Sequence, residues 1–187
     1  MKKWIFILLL LVLFSTSVFA GTHRIPILGW AMSPNASGNV FLEPYSTKAT
    51  NDLFDRLVLI FNDTATRDSL SGSFTIPQNY VDTANLVVVW TSTATSGDVE
   101  WDFDYRAVGG NDTESLDQTT YQESVNTNDT APSATDERME ITLALTDGNF
   151  AAGDNVLFTF SRDGSDGGDG MAAAAIVVEI YFEYNDA

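Results

Sequence analysis

Alternation of apolar and polar residues dominates the middle and end of this chain. In "DVEWDFDYRAV", Val99, Trp101, Phe103, Tyr105 and Ala107 fall on one side, and Glu100, Asp102, Asp104 and Arg106 on the other. A period of two is that of a strand with one buried and one wet face. "RMEITLALT" repeats the pattern with Met139, Ile141, Leu143 and Leu145, and "NVLFTFSR" with Val156, Phe158 and Phe160. In "AAIVVEIYFEY", Ile176, Val178, Ile180, Phe182 and Tyr184 form the inward set, and Val177, Glu179, Tyr181 and Glu183 the outward set. "RLVLIFN" and "LVVVWTSTAT" are apolar without a break, as central strands are. "NVFLEPY" and "GSFTIP" complete the set.

Turn formers separate these runs: "SPNASGN", "TSGD", "VGGND", "TDGN", "AAGDN" and "DGSDGGDG". Asx residues and glycine supply the positive φ angles and local side-chain bonds of tight turns. About eight or nine short strands with this punctuation predict an all-β fold, a β-sandwich of jelly-roll type. A helix has room only in "STKATNDLFDRL", for a turn or two. Residues 108–136 are polar and nearly free of aliphatics, which predicts a long loop carrying one edge strand near Leu116 to Val125.

The first twenty residues stand apart. "MKKWIFILLLLVLFSTSVFA" has a basic start, an apolar run too short to cross a bilayer comfortably, and a small-residue end. This is the pattern of a secretory signal cleaved after Ala20, leaving residues 21–187 as a single extracellular or surface domain with no membrane attachment.

The formal charge is −17, and loss of Lys2 and Lys3 leaves seven basic against 26 acidic residues, a charge of −19. Such a surface repels nucleic acid, whose binding depends on cationic contacts to phosphate. With no cysteine, stability must come from the core, from bound metal or from association with neighbours. The single histidine, His23, sits at the start of the mature chain, so Ser-His-Asp chemistry has no plausible centre. Carboxylates are too abundant for any pair to single itself out, and no enzymatic role is expected.

Four features suggest binding or assembly. Asp163, Asp166 and Asp169 are spaced three apart in "SRDGSDGGDGM" and are candidate calcium ligands, on a loop that reads equally as a turn with aspartates capping amides. Arg162 is placed to neutralise one of them. Glu100, Asp102 and Asp104 form an acidic row, either a solvated outer face or a surface for a basic or metal-bridged partner. Of the tryptophans, Trp101 and Trp90 read as core, while Trp30 is free to meet a sugar. The segment "HRIPILGWAM" is expected to pair with its own sheet, or else to insert into a neighbour's. Ile25, Ile27 and Trp30, with Val177 and Tyr181 on the outward set of the last strand, are therefore the candidate assembly residues. Asn35, Asn62, Asn111 and Asn128 occupy weak glycosylation sequons in expected turns.

"FTIPQNYVDTANLVVVWTSTATSGDVEWDFDYRAVG" and "AAGDNVLFTFSRDGSDGGDGMAAAAIVVEIYFEY" resemble a family of single jelly-roll proteins found as phage virion or fibre modules and as secreted bacterial proteins. The shared features are Ile-Pro before a tyrosine, Ser-Gly-Asp-Val before a tryptophan, Ala-Gly-Asp before a strand, and the spaced aspartates before the last strand, over roughly residues 72 to 184. The resemblance implies a jelly-roll that acts in assemblies, with no catalytic residue to carry over. The signal segment departs from a virion role, and a likeness of design to secreted tube and filament subunits points the same way. The expectation is a secreted, self-associating filament, tube or layer subunit, a homo-oligomer in which calcium offsets acidic repulsion. The alternatives are a carbohydrate-binding module making glycan contacts, or a phage-type capsid or fibre module.

Overall fold

The computed structural model describes residues 21–27, 33–34, 40–46, 55–109 and 114–186. The signal segment, Trp30, Asn35, Asn111 and most of the possible helical turn lie outside these residues.

Eleven strands are described, more than the eight or nine expected, because two short pieces near the start also pair. They are β1 (Thr22–Pro26), β2 (Ser33–Pro34), β3 (Phe41–Ser46), β4 (Asp55–Phe61), β5 (Arg67–Thr75), β6 (Tyr80–Ser92), β7 (Asp98–Val108), β8 (Glu123–Thr130), β9 (Met139–Ala144), β10 (Asn155–Asp163) and β11 (Ala175–Asp186). One sheet runs β3-β4-β11-β6-β9, with β1 also paired to β11, and the second runs β2-β5-β10-β7-β8. All pairs are antiparallel, and the two sheets pack as the sandwich that the alternation predicted. Among the described residues no helix is long and apolar enough to cross a membrane.

The core between the sheets is aromatic. Trp101 stacks on Phe160 at 5.2 Å between ring centroids and meets Trp90 edge-on at 5.9 Å. Tyr105 stacks on Phe150 at 5.0 Å, and Phe182 touches Phe74, Tyr80 and Phe150. Trp90 Nε1 donates to Asp129 Oδ2 at 2.8 Å, which satisfies the indole N–H that burial would otherwise strand. Trp90 and Trp101 are thus core, as expected.

Two elements depart from the alternation. In β11 the pairing with β6 shifts between Val177 and Glu179, a bulge that puts one extra residue into the strand. Upstream of it the phase is inverted. Val177, assigned to the outward set, is fully buried in the inter-sheet core together with Ala175. Strand β8 begins seven residues later than the expected edge strand. Its sequence, Glu-Ser-Val-Asn-Thr-Asn-Asp-Thr, alternates half-buried with exposed residues, but its inward set is mostly polar, so hydrophobicity does not reveal it.

Candidate functional site

The aspartate loop is built around a buried ion pair. Arg162, on β10, turns inward with its side chain fully buried and meets Asp169, itself 1% exposed. The guanidinium donates through Nε to Oδ2 at 2.8 Å and through Nη2 to Oδ1 at 2.7 Å. Arg162 also donates to the carbonyls of Met171 and Ala173, and Asp169 Oδ2 accepts from the Glu100 amide. Every strong group of the pair is thereby hydrogen-bonded, which buried charges require. Asp163 Oδ1 accepts from the amide and hydroxyl of Ser165, and Asp166 Oδ1 from the Gly168 amide. The three aspartates do not converge. Among the described residues no group of three carboxylates or histidines is gathered as a metal would need.

The outer face of the five-stranded sheet carries the acidic row. Register places Ser69, Ser161, Asp102 and Asn126 in one line across β5, β10, β7 and β8, and Ser71, Thr159, Asp104 and Ser124 in the next. The row points outward as expected, but it is not simply solvated: Glu100 and Asp104 are buried. Arg67 joins the two lines, with Nε 3.2 Å from Asp102 Oδ2 and Nη2 2.8 Å from Asp104 Oδ2. Burial raises the Asp102 carboxyl to about 6, opposed by Arg67 and assisted by Asp163, Asp104 and Asp166. The Glu100 carboxyl is raised too, by burial and then by Asp166. Two buried side-chain atoms on or beside this face, Arg106 Nε and Ser161 Oγ, make no hydrogen bond among the described residues.

Next to these lines the same face opens into a groove of about 460 Å³. Its floor is the sheet: Ser71 on β5, Thr159 and Leu157 on β10, and Asp104 and Arg106 on β7. The hydroxyls of Ser71 and Thr159 lie 3.2 Å apart. Its wall is the segment 116–121, which ends in Tyr121. The Gln122 amide donates to the Tyr105 carbonyl at 2.8 Å, and Gln122 Oε1 accepts from the Ala107 amide at 3.0 Å. These two bonds fasten the base of the wall to β7 and fix where Tyr121 stands. Tyr121 is 57% exposed and Leu116 65%, two of the few large apolar side chains left open to solvent among the described residues. An aromatic ring beside hydroxyls, one amide, and an acid and a base each already paired elsewhere is suited to a ligand with both polar edges and an apolar face. An edge strand was expected through this segment, and the groove was not; its only signal in the sequence is a lone tyrosine and a lone leucine in an otherwise polar stretch.

The candidate assembly residues are mostly occupied by the fold itself. Strand β1 pairs with β11 of its own chain from Thr22 to Pro26, the own-sheet option of the two expected. Ile27 is buried, its amide donates to the Ile180 carbonyl at 2.9 Å, and Ile25 packs partly buried against the core. Tyr181 is half-buried, donates to Glu179 and lies 5.9 Å beneath the Arg24 guanidinium. Of the sequons, Asn62 is half-buried beside a turn, while Asn128 is exposed on β8 and not in a turn.

No family model matches this chain, and no curated protein does. Solved structures similar to it include the carbohydrate-binding module CBM35 from Paenibacillus barcinonensis, at 15% identity and a TM-score of 0.48, over 89% of this chain and 98% of that one. A family 35 carbohydrate-binding module from Clostridium thermocellum is similar at 10% identity and a TM-score of 0.48, over 87% and 97%. The arabinose-bound α-L-arabinofuranosidase MgGH51 is similar at 12% identity and a TM-score of 0.47, over 83% of this chain but only 23% of the enzyme, so this chain spans less than a quarter of its length. Other similar structures are again carbohydrate-binding modules. The expectation of a filament, tube or layer subunit is corrected accordingly. Strand β1 is used within its own sheet, and Val177 lies in the core, so neither is left to join a neighbour.

Proposed function

We propose that this chain is an extracellular carbohydrate-binding module, not an enzyme, which holds a glycan in the groove between segment 116–121 and the five-stranded sheet. One observation carries the reading: an exposed tyrosine, Tyr121, lines the same groove as the paired hydroxyls of Ser71 and Thr159. Sugars present hydroxyls at their edges and C–H groups on their faces. A phenol ring covers the faces at small conformational cost, while Ser71, Thr159, Thr119 and Thr120 each donate and accept. The extracellular setting rests on the signal pattern of the first twenty residues.

The test is affinity electrophoresis and glycan-array binding with residues 21–187, beside the Tyr121→Ala variant. Retention on at least one glycan, lost in the variant while its melting temperature is kept, is the expected result. Absence of binding across a broad array, or binding indifferent to Tyr121, would reject the reading.

A further inference from the structure

The charges that line the groove cancel and are already matched. Its lining contains one acid, Asp104, and one base, Arg106. Asp104 Oδ2 lies 2.8 Å from Arg67 Nη2, and Asp104 Oδ1 accepts from the Ser124 hydroxyl at 2.5 Å. Arg106 Nη2 lies 3.6 Å from Glu114 Oε1. The remaining polar lining is uncharged: Ser71, Gln118, Thr119, Thr120, Tyr121 and Thr159. The whole chain is strongly acidic at −17.

Resting on the glycan reading above, we infer that the groove selects an uncharged glycan, recognised through hydroxyls and an apolar sugar face and not through charge. A uronate or sulfate would have to draw Arg106 away from Glu114 within a negative field, and an amino sugar would meet Asp104 already held by Arg67. A sugar hydroxyl asks for neither exchange. The hydroxyls of Ser71, Thr119, Thr120 and Thr159 and the amide of Gln118 line the groove to meet it. Arg106 keeps its ion pair with Glu114 when the ligand is neutral, so binding leaves no charge uncompensated.

Isothermal titration calorimetry on residues 21–187 decides the point. The neutral probes are xylohexaose, cellohexaose and mannohexaose, the anionic ones hexagalacturonate and a heparin hexasaccharide, and the cationic one a chitosan hexamer. At least one neutral probe should bind. Its affinity should change less than about twofold between 0.05 and 0.5 M salt, because no ion pair forms. Tyr121→Ala should weaken it by about tenfold or more, and Tyr121→Phe should keep it near wild type, since the ring supplies the contact. Binding of a charged probe in preference, abolished by Tyr121→Ala and falling with salt, would overturn the inference and leave the glycan site standing. Binding of no probe of any charge, or binding unaffected at Tyr121, would overturn both.

Discussion

Arg162 and Asp169 form a two-pronged ion pair with both side chains out of contact with solvent, seven residues apart on either side of a glycine-rich turn. The pair ties the loop "DGSDGGD" to the end of β10, while the amides of Gly170 and Met171 donate to the Asp98 carbonyl at 2.8 and 2.9 Å. A loop whose composition suggests mobility is thereby anchored at its end.

Asp169→Asn should therefore be severely destabilising. It removes the negative partner and leaves a guanidinium in the protein interior, an imbalance that costs about 3–5 kcal/mol. Urea denaturation would show the loss as a lower midpoint with an unchanged slope. A loss below about 1 kcal/mol would show that the pair is not what holds the loop.

Asp102 predicts a pH dependence. Its folded-state carboxyl titrates at about 6, well above its ordinary value, so between about pH 4 and 6 the folded state holds a proton that the unfolded state has released. Stability from this group is complete below about pH 4 and declines as pH rises to about 6. The loss is on the order of 2–3 kcal/mol, at 1.4 kcal/mol for each unit. Asp102→Asn should flatten that decline and raise the unfolding midpoint at pH 7.5 relative to wild type. A variant less stable than wild type at pH 7.5 would mean that the contact with Arg67 outweighs the cost of burial.

The bulge in β11 is tested at Val177. If Val177 were on the outer face, aspartate there would cost almost nothing. In the core, Val177→Asp should prevent folding, since an unpaired carboxylate would replace an apolar contact. The milder Val177→Ala should lower stability by about 2 kcal/mol. Circular dichroism melts of the two variants distinguish the cases.

Gly97 is held at φ +89°, and a Cβ built there would stand 2.5 Å from the Gly170 carbonyl oxygen. Gly97→Ala combines a left-handed backbone with a contact that requires the aspartate loop to shift. It should cost about 2 kcal/mol or more, read by thermal melting. Gly148→Ala, with open space around the added methyl, is the matched control and should be near neutral.

The sequence by itself determined the class of fold and most of the core. Strands β7, β10 and the end of β11 bury one long apolar set against the other sheet, and a period of two is a local property legible without coordinates. It also identified Trp90 and Trp101 as core residues and Arg162 as the partner of one loop aspartate. Tertiary structure decided the rest. The bulge that turns Val177 inward depends on pairing with β6, a relation between residues some ninety positions apart. Strand β8 exists because β7 offers it a hydrogen-bonding edge, although its own residues carry almost no apolar pattern. The groove depends on a wall that carries little signal in sequence until Gln122 fastens it to β7 and leaves Tyr121 lining the same groove as Ser71 and Thr159. Local periodicity records which side of a strand is buried. What stands on the other side is decided by which strands and loops the fold brings together.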